Sequence, residues 1–243
     1  MYTPSIIIGF LTLSPLVVAH GKIAVVTGNL GGNGTALGIK GAVVADTGSN
    51  SKTELDTTVF DIGRQLSINN PKAAGRNKAE SGVTKSMALS GSTLPQISTD
   101  NASISGTFHI VTSDGAGPLT AMVDTTGKGD FSNAVKAVVT TQIPGKRGNI
   151  RKSKQTRWER AMRSIGLMKR ASNINEDYPF SVDIPAGTTC TGTVAGQSNV
   201  CMVKVVNPSN AGPFGGCVAV QQSTGTNATA SVRRNLKPMK LSV

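Results

Sequence analysis

The chain has 243 residues, a net charge of +12 and three cysteines. That length suits one large domain or two small ones, and it can build a sizeable core without disulfides. The charge is concentrated: residues 146–170, KRGNIRKSKQTRWERAMRSIGLMKR, hold ten of the 25 basic residues and one acid, Glu159, and without that segment's +9 the rest carries +3. A nucleic-acid-binding fold would carry its basic face on core elements, so the pattern excludes that class.

The chain opens on MYTPSIIIGFLTLSPLVVA, which carries no charge. Its apolar stretch is broken by Thr12, Ser14 and Pro15, too short for a membrane span of roughly 20 apolar residues. It reads as a signal peptide over 1–19, with small residues before a cleavage after Ala19. The expectation is therefore a secreted, extracellular chain with no membrane span, whose mature form starts at His20 and makes one domain over 20–243. Three sequons, at Asn33, Asn101 and Asn227, agree with export and are candidate glycosylation sites.

Beyond the leader, Gly, Ser, Thr, Asn and Val dominate, and helical periodicity is almost absent outside the basic segment. Short β-prone runs recur between turn signals: 22–26, 58–60, 103–111, 120–124, 134–143, 180–184, 200–206 and 217–222. Their spacing predicts an all-β fold, an antiparallel sandwich or barrel with long loops. In GTFHIV, alternation puts Phe108 and Ile110 on one face and His109 on the other with Thr107 and Val111. The SDGAGP stretch that follows (113–118) reads as a turn-rich loop. The Gly-rich GGNG (31–34) lacks the Lys-Ser/Thr of a phosphate loop. Acids near turns, Asp56, Asp61, Asp114 and Asp124, show no spacing that selects a glycosidase pair.

The basic insertion, 146–172, has several readings. It could form a helix, with Trp158, Met162 and Ile165 on one stripe. It could equally be a solvated loop or a patch for anionic surfaces. Its flanking pairs, Lys146-Arg147 and Lys169-Arg170, are also candidate protease sites. The cysteines, Cys190, Cys201 and Cys217, all fall in the last quarter and allow at most one intramolecular bridge.

Five stretches in order, HGKIAVVTGNLGGNGTALGI, DTTVFDIGR, FHIVTSDGAGPLTAMVD, IPAGTTCTGTVAGQSNVC and NPSNAGPFGGCVAVQ, resemble the fungal appressorium-specific secreted virulence-factor family known from cereal powdery mildew and rice blast fungi. That family in turn is similar to lytic polysaccharide monooxygenases, secreted immunoglobulin-like β-sandwiches that bind one copper in a histidine brace. The resemblance implies a copper site at His20 and His109, which occupy the matching places. It also implies a catalytic centre with Phe214 on the axial side of the copper, Tyr178 as its substitute, and Gln221 as an outer-sphere hydrogen bonder. Core packing is the alternative for Phe214 and Gln221, and a neighbour-satisfied strand histidine is the alternative for His109. The resemblance pairs Cys190 with Cys201. Ile62, Ala121 and Val205 stand where relatives are expected to have cysteines, with Val205 in the place of Cys217's partner.

The chemistry of such a site is coherent. A mature N-terminal His offers its α-amine and its imidazole, a second imidazole makes a three-nitrogen set, and Cu(II) heads the affinity order for divalent metals. The amine, with a reference pKa of about 7.7–8.0, must be deprotonated to bind, so affinity falls in acid. The expected partner is a cell-wall polysaccharide or a host surface, the expected state a monomer. The mature chain has one Trp, one Tyr and five Phe, too few for an aromatic face stacked on crystalline polymer. The alternatives to an oxidising enzyme are a copper-binding protein of the same fold without turnover, and an effector whose basic segment binds anionic surfaces.

Overall fold

Runs of β-branched residues account for most of the architecture. A computed structural model describes residues 21–38, 58–60, 79–150, 173–210 and 212–223; the leader, His20, residues 151–172 and Asn227 lie outside them. In chain order the strands are β1 (Gly21–Gly28), β2 (Gly31–Gly34), β3 (Thr58–Val59), β4 (Gln96–Ile97), β5 (Ser103–Thr112), β6 (Thr120–Asp124) and β7 (Val135–Thr141). They continue with β8 (Asn173–Asp183), β9 (Gly192–Val194), β10 (Gln197–Val206) and β11 (Phe214–Gln222), and a helix, α1 (Ala79–Leu89), precedes β4.

The strands hydrogen-bond in the order β2-β1-β5-β8-β7-β6-β10-β11-β3, with β9 beside β10 and β4 parallel to β11. The remaining pairings are antiparallel, so the sheet is mixed and closes almost into a barrel. The principal core fills it. Ile23, Val26, Ile104, Phe108, Ile110, Phe180 and Val182 come from β1, β5 and β8, facing Ala121, Val123, Val203, Val205, Val218 and Val220 from β6, β10 and β11.

The all-β reading holds, and each predicted run contains a strand. VCMVKVV (200–206) is apolar at every position but Lys204 because β10 is covered on both faces. Cys201, Val203 and Val205 enter the principal core, while Val200, Met202 and Val206 join a second core with Phe60, Val83, Leu94 and Phe131. The same two-sidedness corrects the expected cysteine pairing. Val205 and Ala121 are cross-strand partners on the inner face, whereas Cys217 lies opposite Lys204 on the outer face. A cysteine at 205 would point away from Cys217. Cys190 and Cys201 do form the expected disulfide, and Cys217 is a buried free thiol.

Three short strands, β2, β4 and β9, and the helix were not foreseen. α1 lacks a broad apolar stripe: Val83 is buried with Met87 packed beside it, and Ser86 Oγ donates to Thr35 O at 3.0 Å. Its end follows helix-capping chemistry, since Ser92 N donates to Met87 O across Gly91, whose φ is +85°, in the manner of a Schellman motif. β8 begins seven residues before its predicted start, because Pro179 and the acids of NINEDYP mask the pattern.

The first residues of the basic insertion are described, and they are folded. Lys146–Ile150 is a folded turn: Lys146 N and Asn149 O bond at 2.8 Å, Gly148 N donates to Gly117 O, and Ile150 N donates to Ser113 O at 2.7 Å. These residues belong to the domain, and Asn173 rejoins it opposite Thr112.

Candidate functional site

β5 runs between β1 and β8, and the register fixes His109 opposite Lys22 on one side and Asp177 on the other. Phe108 and Ile110 enter the core, so His109 faces outward, as alternation predicts. The His109 side chain is nevertheless 2% exposed and Lys22 2% exposed, while the Asp177 side chain is 52% exposed. His109 Nδ1 lies 2.6 Å from Asp177 Oδ1. An ionised carboxylate can only accept, so the ring donates through Nδ1–H, and in the neutral imidazole that leaves the lone pair on Nε2. Nε2 is buried and has no hydrogen-bond partner among the described residues. A carboxylate on one nitrogen with the other left free is the usual arrangement of a metal-ligating histidine.

Sequence reasoning placed His109 on its strand and face but missed Asp177. The two are 68 residues apart, and only the β5–β8 pairing unites them.

His20 lies outside the described residues. Gly21, which follows it, pairs with Ile110. A Cβ on Gly21 would stand 2.4 Å from a Phe108 ring carbon and 2.5 Å from Gly115 O, so β1 starts pressed against the 113–118 loop. This loop is the predicted turn, tied down by Ala116 N to Gly148 O and Gly117 N to Pro144 O.

Phe214 opens β11 at the same end of the barrel and is buried. Asn207 joins it to the loop. Asn207 Nδ2 donates to Asp114 O at 3.2 Å and Ala116 O at 2.9 Å. Its Oδ1 accepts from Phe214 N at 2.8 Å and Ser209 N at 3.3 Å. Thus the start of β1, the end of β5 and the start of β11 converge.

The other expected residues do not join them. Tyr178 is opposite Phe108, on the face of β8 away from Asp177, and bonds to Glu176. Burial, and then that hydrogen bond, push its phenol up to about 12. Gln221 lies seven residues along β11 from Phe214, about 23 Å away at strand rise, where it accepts from Gln96 and donates to Ser198 O. Asn33 and Asn101 are exposed. Of the acids, Asp114 accepts from Thr112, and Asp124 accepts from Thr126 and Gly129.

A second buried polar group sits in the outer core. Lys204 Nζ lies 4.4 Å from the Phe131 ring centroid and 5.6 Å from that of Phe60. Burial lowers the pKa of Lys204 and raises that of Cys217, its cross-strand neighbour. Among the described residues no group of three or more His, Cys, Asp or Glu could hold a metal, so a metal at His109 would need a ligand from outside them.

These features define a class: a nearly all-β protein carrying a carboxylate-held histidine at the rim of its barrel. The chain belongs to the Egh16-like virulence factor family, whose profile matches residues 18–215. It is 34% identical over 236 residues to the appressoria-specific virulence factor GAS1 of Pyricularia oryzae (strain 70-15), covering 97% of this chain and 84% of that protein. It is 34% identical over 166 residues to the appressoria-specific virulence factor GAS2 of the same fungus, covering 66% of this chain. That alignment takes in 51% of GAS2, about half its length. No solved structure matches. Among the described residues no helix is long and apolar enough to cross a membrane.

Proposed function

We propose that this chain is a secreted fungal virulence protein of host penetration that binds one copper ion through His20 and His109 and oxidises cell-wall polysaccharide. One observation carries the reading: the buried His109 Nε2 has no partner among the described residues while Asp177 holds the other ring nitrogen. The donor set fits Cu(II), which favours nitrogen ligands. His109 would supply Nε2, and a mature N-terminal His20 its amine and ring. Gly21, the first residue of the β1–β5 ladder, keeps the start of β1 beside the end of β5. Asp177 would fix the tautomer and ring angle of His109. Asn207 would hold the 113–118 loop and Phe214 in place at the rim. Bound copper would supply one-electron redox chemistry towards dioxygen or peroxide.

The kinship with immunoglobulin-like sandwiches of lytic polysaccharide monooxygenases belongs to this proposal. It is supported by the division of the core between β1, β5 and β8 on one side and β6, β10 and β11 on the other. A second reading, a copper-binding protein without turnover, is favoured by the 4% aromatic content, which leaves few rings to stack on a sugar polymer.

The test uses secreted protein with its native N-terminus. Mass spectrometry is expected to find His20 first. Copper titration is expected to give one site that His109→Ala abolishes, and reductant-driven oxidised sugars separate the enzyme from the silent binder. A different N-terminus, or copper binding unchanged by His109→Ala, refutes the site.

A further inference from the structure

Three buried side-chain polar atoms have no hydrogen-bond partner among the described residues: His109 Nε2 and both polar atoms of Asn175, Nδ2 and Oδ1. Burial without a partner is costly, and such groups in a native fold call for a ligand, water or ion. They are neighbours in the sheet. β8 carries a bulge here, because Ile110 pairs with Glu176 while Thr112 pairs with Asn173. Two residues, 174 and 175, therefore stand against Val111. Ile174 and Tyr178 pack on the inner core, which turns Asn175 and Asp177 to the outer side with His109. The backbone of Asn175 is held at φ +48°, a left-handed conformation that Asn adopts more readily than most residues. The bulge thus re-aims one amide at the rim, as bulges beside binding sites do.

We propose that Asn175 and His109 Nε2 share one ligand site, in which the Asn175 carboxamide donates through Nδ2 to a small oxygen or nitrogen ligand taken up beside the metal. The inference rests on the copper reading above and adds to it a ligand-contacting residue on β8. Asn175 occupies the outer-sphere role that the family resemblance gave to Gln221, whose amide is already bonded at the far end of the barrel.

Two variants keep the backbone tolerable. Asn175→Gly removes the amide and accepts positive φ, and Asn175→Asp keeps the shape but replaces the donor with an acceptor. The probes are copper(II) itself and azide added to the copper-loaded, mature protein. Loss of an outer contact is expected to weaken azide binding about 10- to 100-fold in both variants. The melting temperature of the metal-free Gly variant should stay level or rise, since no bond is lost. Azide affinity within about twofold of wild type in both variants overturns the inference. So does a marked fall in metal-free melting temperature for Asn175→Gly, which would show the amide to be structural. A wild type that takes up no copper overturns this inference and the copper reading together. A copper-binding wild type with unaltered azide affinity in the variants overturns this inference alone.

Discussion

Two regions of the molecule use the same kind of side chain to opposite ends. At the far end of the barrel, Gln222 Oε1 accepts from Cys190 N at 2.9 Å and its Nε2 donates to Thr188 O at 2.8 Å. Gln221 beside it is bonded to Gln96 and Ser198. On the outer face around His109, the Asn175 side chain has no hydrogen-bond partner among the described residues, and His109 uses one nitrogen of two there. A buried amide with all its partners is a fastening. One without partners gives up stability, and a binding site is a reason for a fold to tolerate that. Asn207 sharpens the contrast, since it stands near the rim and is fully bonded.

Asn207→Leu should therefore have the largest effect. It strands two backbone N–H groups and two carbonyls that now share one amide. At about 1 kcal/mol net for each bond, the loss is about 3–5 kcal/mol, read by denaturant unfolding. The mature protein should also bind copper more weakly, as the 113–118 loop loosens. A loss under about 1 kcal/mol would mean that water replaces the amide and that the loop does not depend on it.

The far end should yield less. Replacing Cys190 and Cys201 together by Ser opens a closure with a sequence separation of 11, worth about 2–3 kcal/mol on the chain-entropy model. Because Gln222 also holds Cys190 N, part of the loop should stay ordered, and copper binding at the other end should be unchanged. A copper affinity that falls with the disulfide would break the separation of the two regions.

The difference between these regions was only partly legible in the sequence. Strand positions could be read because β-branched runs and alternation are local, and the outward face of His109 followed from the same pattern. The disulfide followed from family resemblance. What could not be read was non-local. Asp177 reaches His109 through β5–β8 pairing across an insertion, and a bulge there leaves Asn175 and Ile174 together against Val111. Val205 and Cys217 sit close in sequence, but the period-two geometry of β10 and β11 places them on opposite faces. α1 escaped because tertiary contacts of Val83, Met87 and Ser86 sustain it in place of an apolar stripe. Of the two readings open for Gln221, the packed one fits its hydrogen bonds to Gln96 and Ser198, because an extended strand carries the residue away from Phe214.

The smallest effect tests the two faces of β8 against each other. Asp177 and Asn175 lie on the outer face with His109, whereas Glu176 and Tyr178 pair with each other on the other side. The Tyr178 phenol is raised from 10.0 to about 12, first by burial and then by the hydrogen bond and charge of Glu176. The folded protein thus holds a proton that the unfolded chain releases near pH 10. Whatever stability this gives is complete below that pH and is lost as pH rises towards the folded value. In a chain starting at His20, Tyr178 is the single tyrosine, so phenolate absorbance reports it alone. Glu176→Gln keeps an acceptor but removes the charge, and it should move the titration down while burial keeps it above 10. Copper binding should not change, because the pair faces away from His109. A wild-type phenol titrating near 10 would show that Tyr178 is solvated and the pairing absent, and a copper affinity that follows Glu176→Gln would show that the two faces of β8 are coupled.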